Sequence, residues 1–173
     1  MPFTPIHLGP GAAFKAVLGR HFSFLVFGGA QVLMDLQPLA AMLGADVALH
    51  GRSHTWVGAL LIGVVAFATG KPVSDFVLRR SGVAHRPLTW AATAAGAWIG
   101  TFSHVALDSI MHADVVPGWP WFAGSPLLYS LSFGELHAAC VVLGVGGAGV
   151  VGWRLRGKGA GKGASPGKGA SPH

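Results

Sequence analysis

Ser103-His104-Val105-Ala106-Leu107-Asp108-Ser109-Ile110-Met111-His112-Ala113-Asp114 closes an apolar run that begins near Leu88. His104, Asp108 and His112 stand at i, i+4 and i+8. On a helix that spacing keeps the three side chains on one slowly turning stripe. Ionisable groups near the centre of a membrane helix cost about 2.5–3.5 kcal/mol each, so a stripe of them marks function. Two imidazoles and a carboxylate on one stripe make one wall of a metal site.

The composition around this stretch is that of an integral membrane protein. The chain of 173 residues is 51% hydrophobic and 10% charged, against about 25% charged residues in soluble domains. Its mean hydropathy is +0.55. Glycine, at 27 residues, is scattered through the apolar runs as membrane helices allow. The nine histidines outnumber the six acidic residues, a second sign of metal chemistry. The formal charge of +6 sits in short loops and a tail beside apolar runs, where it sets membrane orientation. No aromatic-rich basic surface accompanies it, which excludes nucleic acid as a partner. Cys140 lies within an apolar run and is the single cysteine, so no internal disulfide exists.

Working outward, the hydropathy pattern gives an all-α bundle of about four transmembrane helices. The expected spans are 22–43, 54–70, 88–111 and 132–153. Residues 8–20 are too few to cross a bilayer, which takes about 20. They read as a short half-helix or interfacial helix, and no secretory signal peptide is legible there. Pro38 should kink the first span. Residues 71–87, with Lys71, Arg79, Arg80 and Arg86, read as a separate amphipathic piece at the membrane surface. Residues 1–155 thus form the membrane domain. The Gly/Lys/Ser/Pro repeat of 156–173 cannot bury a core and reads as a disordered basic tail.

Counting positives by side places Lys15, Arg20, the 71–87 segment and the tail together. The positive side should be cytoplasmic, with both termini there. The opposite, outer level then receives Asp35, His50, His54, His104, Asp108 and His112, with Glu135 and His137 at the start of the last span. His7 joins them only if residues 8–20 descend from the outer face; otherwise it belongs to a cytoplasmic loop. The aromatic loop of 113–131, with Trp119, Trp121, Phe122 and Tyr129, contains no Lys or Arg. It can anchor at the headgroup level or cap the site.

The chain resembles the bacterial predicted membrane-bound metal-dependent hydrolases, the YdjM-like family. The resemblance rests on Pro2-x-x-Pro5-Ile6-His7-Leu8, Asp35, His50-Gly51-Arg52-Ser53-His54-Thr55, Ser103-His104-x-x-x-Asp108-Ser109, and Val116-Pro117-x-Trp119-Pro120-Trp121-Phe122. It covers most of residues 1–125. Where the family has Asp-x-Asp-His after the first span, this chain keeps only Asp35. His112 follows Met111 where the family has Thr-Pro, and stands in for a missing ligand. The resemblance implies an enzyme of the bacterial inner membrane.

These readings combine into a metal-dependent hydrolase. A divalent ion, zinc by ligand type, would be held by His54, His104 and Asp108, with His50, His112 or Asp35 assisting. Asp35 or Glu135 would serve as general base. The level of the site suggests a lipid-like ester or phosphoester substrate. The alternative is a non-enzymatic membrane protein that binds or transports metal ions.

Overall fold

The computed structural model describes residues 5–82 and 87–162. Pro2–Thr4 of the N-terminal block, His85, Arg86 and residues 163–173 of the expected tail lie outside the described residues. Among those described there are helices and no strands. They are α1 (Gly9–Leu18), α2 (Phe24–Met34), α3 (Leu36–Met42), α4 (Trp56–Arg80), α5 (Trp90–Met111) and α6 (Phe133–Lys162). Short 3-10 turns cover Pro5–Leu8, Gly19–His21 and Arg52–His54.

Hydroxyl side chains fix where the helices begin. Ser23 Oγ accepts the Val26 N–H at 3.2 Å, Thr55 Oγ1 that of Gly58 at 2.9 Å, and Thr89 Oγ1 that of Ala92 at 3.1 Å. Each occupies an amide that the helix itself leaves unpaired. The expected kink in the first span appears as a break at Asp35 between α2 and α3. Pro38 has no N–H to give the Met34 carbonyl, and its ring crowds that carbonyl. The disturbance therefore falls one turn before the proline.

Three segments, Phe24–Met42, Trp56–Arg80 and Phe133–Gly157, are long and apolar enough to cross a membrane. The 22 residues of α5 are long enough but more polar. The packing explains this: Thr93, Thr101, His104, Asp108 and Ser109 are all buried, so α5 turns its polar groups inward. Leu60, Leu61, Val64 and Val65 of α4, and Val141, Val142 and Val145 of α6, are exposed. Those faces suit lipid rather than water.

One expectation is corrected. The second span does not stop at Gly70 before a separate surface piece; α4 runs unbroken through Pro72 to Arg80. The proline costs one backbone hydrogen bond. Beyond it, Lys71 Nζ meets Asp75 Oδ2 at 2.8 Å, and Asp75 Oδ1 accepts the Leu88 N–H at 3.1 Å. These contacts tie the far turns of α4 to the start of α5.

The core lies between α2, α4 and α5. Val26, Ala30, Ala66 and Ala97 form one cluster, and Met34, Ala59 and Val105 another. α2 and α5 run the same way: the Ser23 N–H donates to the Ala92 carbonyl at one end, and Asp35 meets His104 at the other. Glycine permits the close approach. A Cβ on Gly96 would fall 2.6 Å from the Ser23 carbonyl oxygen, and one on Gly100 2.9 Å from the Ala30 Cβ.

α1 packs along α6 in a parallel sense. A Cβ on Gly9 would fall 2.0 Å from the Cys140 carbonyl oxygen, and one on Gly147 2.4 Å from the Ala12 backbone. Further along, Arg154 donates to the Ala16 carbonyl. α1 therefore descends beside α6, turns at Gly19–His21, and the chain climbs back as α2. This settles the position of His7, which lies at the level of Asp108. Pro5 sits at the site end of the bundle, and Lys162 at the other, about 33 Å further along α6 at 1.5 Å per residue from Cys140.

Candidate metal centre

The five candidate ligands arrive from four elements. His7 comes from the turn ahead of α1, Asp35 from the α2–α3 break, and His54 from the turn before α4; His104 and Asp108 come from α5. The break at Asp35 aims its carboxylate across at α5. All five side chains are buried, His54 completely. Their reactive atoms meet at one level. His54 Nε2 lies 3.3 Å and His104 Nε2 3.2 Å from Asp108 Oδ2, and His104 Nε2 lies 3.4 Å from Asp35 Oδ1. His7 Nδ1 is 3.9 Å from Asp108 Oδ1.

These atoms fit a cation. Among the described residues, four buried side-chain atoms have no hydrogen-bond partner: His7 Nε2, His54 Nε2, His104 Nε2 and Trp98 Nε1. Three of the four are therefore imidazole nitrogens of this one cluster. His54 Nε2 and His104 Nε2 have the Asp35 and Asp108 carboxylates at 3.2–3.4 Å, an arrangement that a shared cation satisfies. Zinc–nitrogen and zinc–oxygen bonds of about 2.0–2.2 Å put neighbouring ligands of a tetrahedral site about 3.3 Å apart. The separations of 3.2, 3.3 and 3.4 Å match that edge.

The surroundings orient the imidazoles. His104 Nδ1–H donates to Gln31 Oε1 at 2.5 Å. The Gln31 amide is itself aimed, donating to the Gly100 carbonyl at 3.3 Å and to Ser103 Oγ at 3.4 Å. The Nδ1–H of His104 is thereby fixed on Gln31, and Nε2 is turned toward the carboxylates. His54 Nδ1 shares a 2.9 Å hydrogen bond with Ser53 Oγ. Burial pulls the His54 imidazole below its ordinary pKa, although Asp108 opposes the shift. The neutral, ligating form is favoured.

A second, shallower group lies above the first. His50 Nδ1–H donates to Asp114 Oδ2 at 2.8 Å, and the His50 and His112 rings stack with centroids 4.4 Å apart. Burial also lowers the His112 pKa, against the pull of Asp108. For Asp114, burial pushes upward, but the hydrogen bond and charge of His50 outweigh it and hold the carboxyl below its ordinary value. His50 joins the two levels, since its ring also lies 5.0 Å from that of His54. Asp35–His54–His104, His50–His54–Asp108 and His50–His112–Asp114 can each converge on one cation.

Two expected site residues stand elsewhere. Glu135 is exposed on the first turn of α6, where its Oε2 accepts the Ser132 N–H at 2.9 Å and the Ser132 hydroxyl at 2.7 Å. The Glu135 N–H donates back to Ser132 Oγ. This reciprocal pair caps the helix, and Glu135 takes no part in the cluster. His137, two residues on, is half-buried; its Nδ1–H donates to the Phe133 carbonyl at 2.8 Å. Sequence reasoning missed Gln31 and Asp114 as partners. Gln31 was findable: it stands at i−4 from Asp35, and a side-chain amide inside an apolar span needs partners.

The 113–131 loop covers this end of the bundle. The Trp56 N–H donates to the Pro117 carbonyl at 2.8 Å, and the Tyr129 N–H to that of Ile110 at 2.9 Å. Val115 is fully buried beneath the loop, while Trp121 and Tyr129 are exposed. Arg52 lies over the Trp119 ring at 4.9 Å. The structure thus gives a His/Asp cluster suited to a metal ion at one end of a bundle of membrane-span helices. Compared with family models, curated proteins and solved structures, the chain matches none.

Proposed function

We propose that the chain is a membrane-bound metal-dependent hydrolase of the YdjM-like kind, with its site at the outer face of the bacterial cytoplasmic membrane. The observation that carries this is the meeting of His54 Nε2 and His104 Nε2 with Asp35 and Asp108 inside the bundle, with His7 Nδ1 3.9 Å from Asp108. His54, His104 and Asp108 would hold the ion, with His7 and Asp35 beside them. Nitrogen and carboxylate ligands suit zinc. When bound, such an ion lowers the pKa of a water toward about 7 and polarises a carbonyl or phosphoryl oxygen.

The chain's own residues supply the rest. Asp35 is the carboxylate placed to take a proton, since Glu135 is engaged in its cap. Gln31 keeps the His104 proton on the far nitrogen. The 113–131 loop limits water from above, and its exposed aromatic rings suit the headgroup level. Arg52, exposed over Trp119, offers a positive charge to an ester or phosphoester headgroup. The positive-inside rule supports the outer placement: Arg79, Arg80, Arg154 and Arg156 all lie toward the end away from the cluster.

The test is metal analysis of the purified protein, followed by hydrolysis of lipid esters and phosphoesters in mixed micelles. Bound transition metal that disappears in His104→Ala, with turnover lost in Asp35→Asn while metal is retained, is the expected result. No metal in the native protein sinks the reading. A metal binder or transporter instead predicts metal uptake into proteoliposomes, abolished by Asp108→Asn, without turnover. The gathering of ligands at one end argues against a transport path, which needs polar groups toward both faces.

A further inference from the structure

We propose that the centre takes two metal ions, and that His50, His112 and Asp114 form a separate outer site for the second. This rests on the metal-centre reading above and deepens it. One candidate ligand atom from each of the three lies within 4.8 Å of the others. His50 Nδ1 and Asp114 Oδ2 are already 2.8 Å apart, and a divalent ion would take the place of the proton between them. Two imidazoles and a carboxylate are a zinc-type donor set.

The two levels differ in the way that separates a tight site from an exchangeable one. Asp108 and His54 side chains are 5% and 0% exposed, whereas that of Asp114 is 55% exposed. The inner ligands lie on helices or in turns packed under the 113–131 loop. The outer pair His112 and Asp114 sits just past the last residue of α5, on backbone that can adjust and beside solvent. The outer ion would therefore bind more weakly, leave open positions for water or substrate, and load after the inner one.

A rival account makes Asp114 a carboxylate that only orients His50 toward the inner ion, a common arrangement. That account leaves His112 without a role. Its ring stacks on His50 at 25° between planes, and among the described residues no hydrogen bond reaches it. A third ligand explains the stack; an orienting carboxylate does not.

The experiment is a cobalt(II) titration of the metal-stripped full chain in nanodiscs, followed by visible absorption and by metal-to-protein ratio after gel filtration. Wild type should bind two equivalents in two steps. His112→Ala and Asp114→Asn should each weaken the second step by about tenfold or more and leave the first in place. Asp114 is exposed and His112 half-buried, and an unaltered gel-filtration profile checks that the variants fold. A single equivalent in wild type that is lost in His104→Ala overturns the outer site and leaves the inner one standing. A second step unaffected by both variants also overturns it. No cobalt bound at all would remove the metal centre itself.

Discussion

Gln31 Oε1 and His104 Nδ1 lie 2.5 Å apart, joining the middle of α2 to the polar stripe of α5. The amide fixes both the ring's orientation and its tautomer. Gln31→Leu should weaken metal binding about 10- to 100-fold, the usual effect of removing a partner behind a metal-bound histidine. Chelator competition on the purified variant measures it. Gln31→Glu keeps an acceptor at the same place and should lose much less. Equal losses in both variants would mean that the contact only packs.

Glu135 belongs to helix α6 and not to the chemistry. Glu135→Ala should lower stability through loss of the cap, seen as a lower Tm. Metal content should stay at the wild-type value. Turnover that collapses in Glu135→Gln at unchanged Tm would return this carboxylate to the site.

The placement of His7 depends on Gly147, far from it in sequence. Gly147→Leu would drive a side chain into the Ala12 backbone and push α1 off α6. Its metal affinity should fall to the level of His7→Ala. The double variant should fall no further, because both changes remove the same ligand. Additive losses in chelator competition would show that α1 has no part in seating His7.

Topology is open to direct labelling. In a Cys140→Ala background, single cysteines at Ala48 and Ala123, both exposed at the site end, should react with an impermeant thiol reagent in intact cells. A cysteine at Ser81, exposed just past α4, should react only once the membrane is opened. α4 spans about 37 Å over its 25 residues, more than a bilayer core of about 30 Å. Labelling of Ala48 and Ser81 from the same side would rule out a crossing by α4.

Much of this was legible because hydropathy and spacing are local signals. The His104–Asp108 stripe, the apolar runs and Asp35 as a lone carboxylate in a span can each be read within a few residues. What was not legible depended on long-range contacts. Whether residues 8–20 descend toward the site is decided by Gly9 of α1 meeting Cys140 and Gly147 of α6 meeting Ala12, and no local pattern announces that. Pro72 looked like a boundary, but Lys71, Asp75 and Leu88 bind the turns after it. Glu135 looked like a base from its level in the membrane, while Ser132 three residues earlier already spelled a capping box. There the local signal was present and the topological argument hid it.

The parallel seating of α1 against α6 also orders the assembly of the protein during synthesis. His7 leaves the ribosome before every other ligand, yet the surface that holds its segment, from Cys140 to Arg154, is made last. Asp35, His54, His104 and Asp108 can come together once α5 is in the bilayer. The earliest ligand must wait for the final helix. A nascent chain released before α6 carries an unfinished centre, so completion of the site requires synthesis through α6.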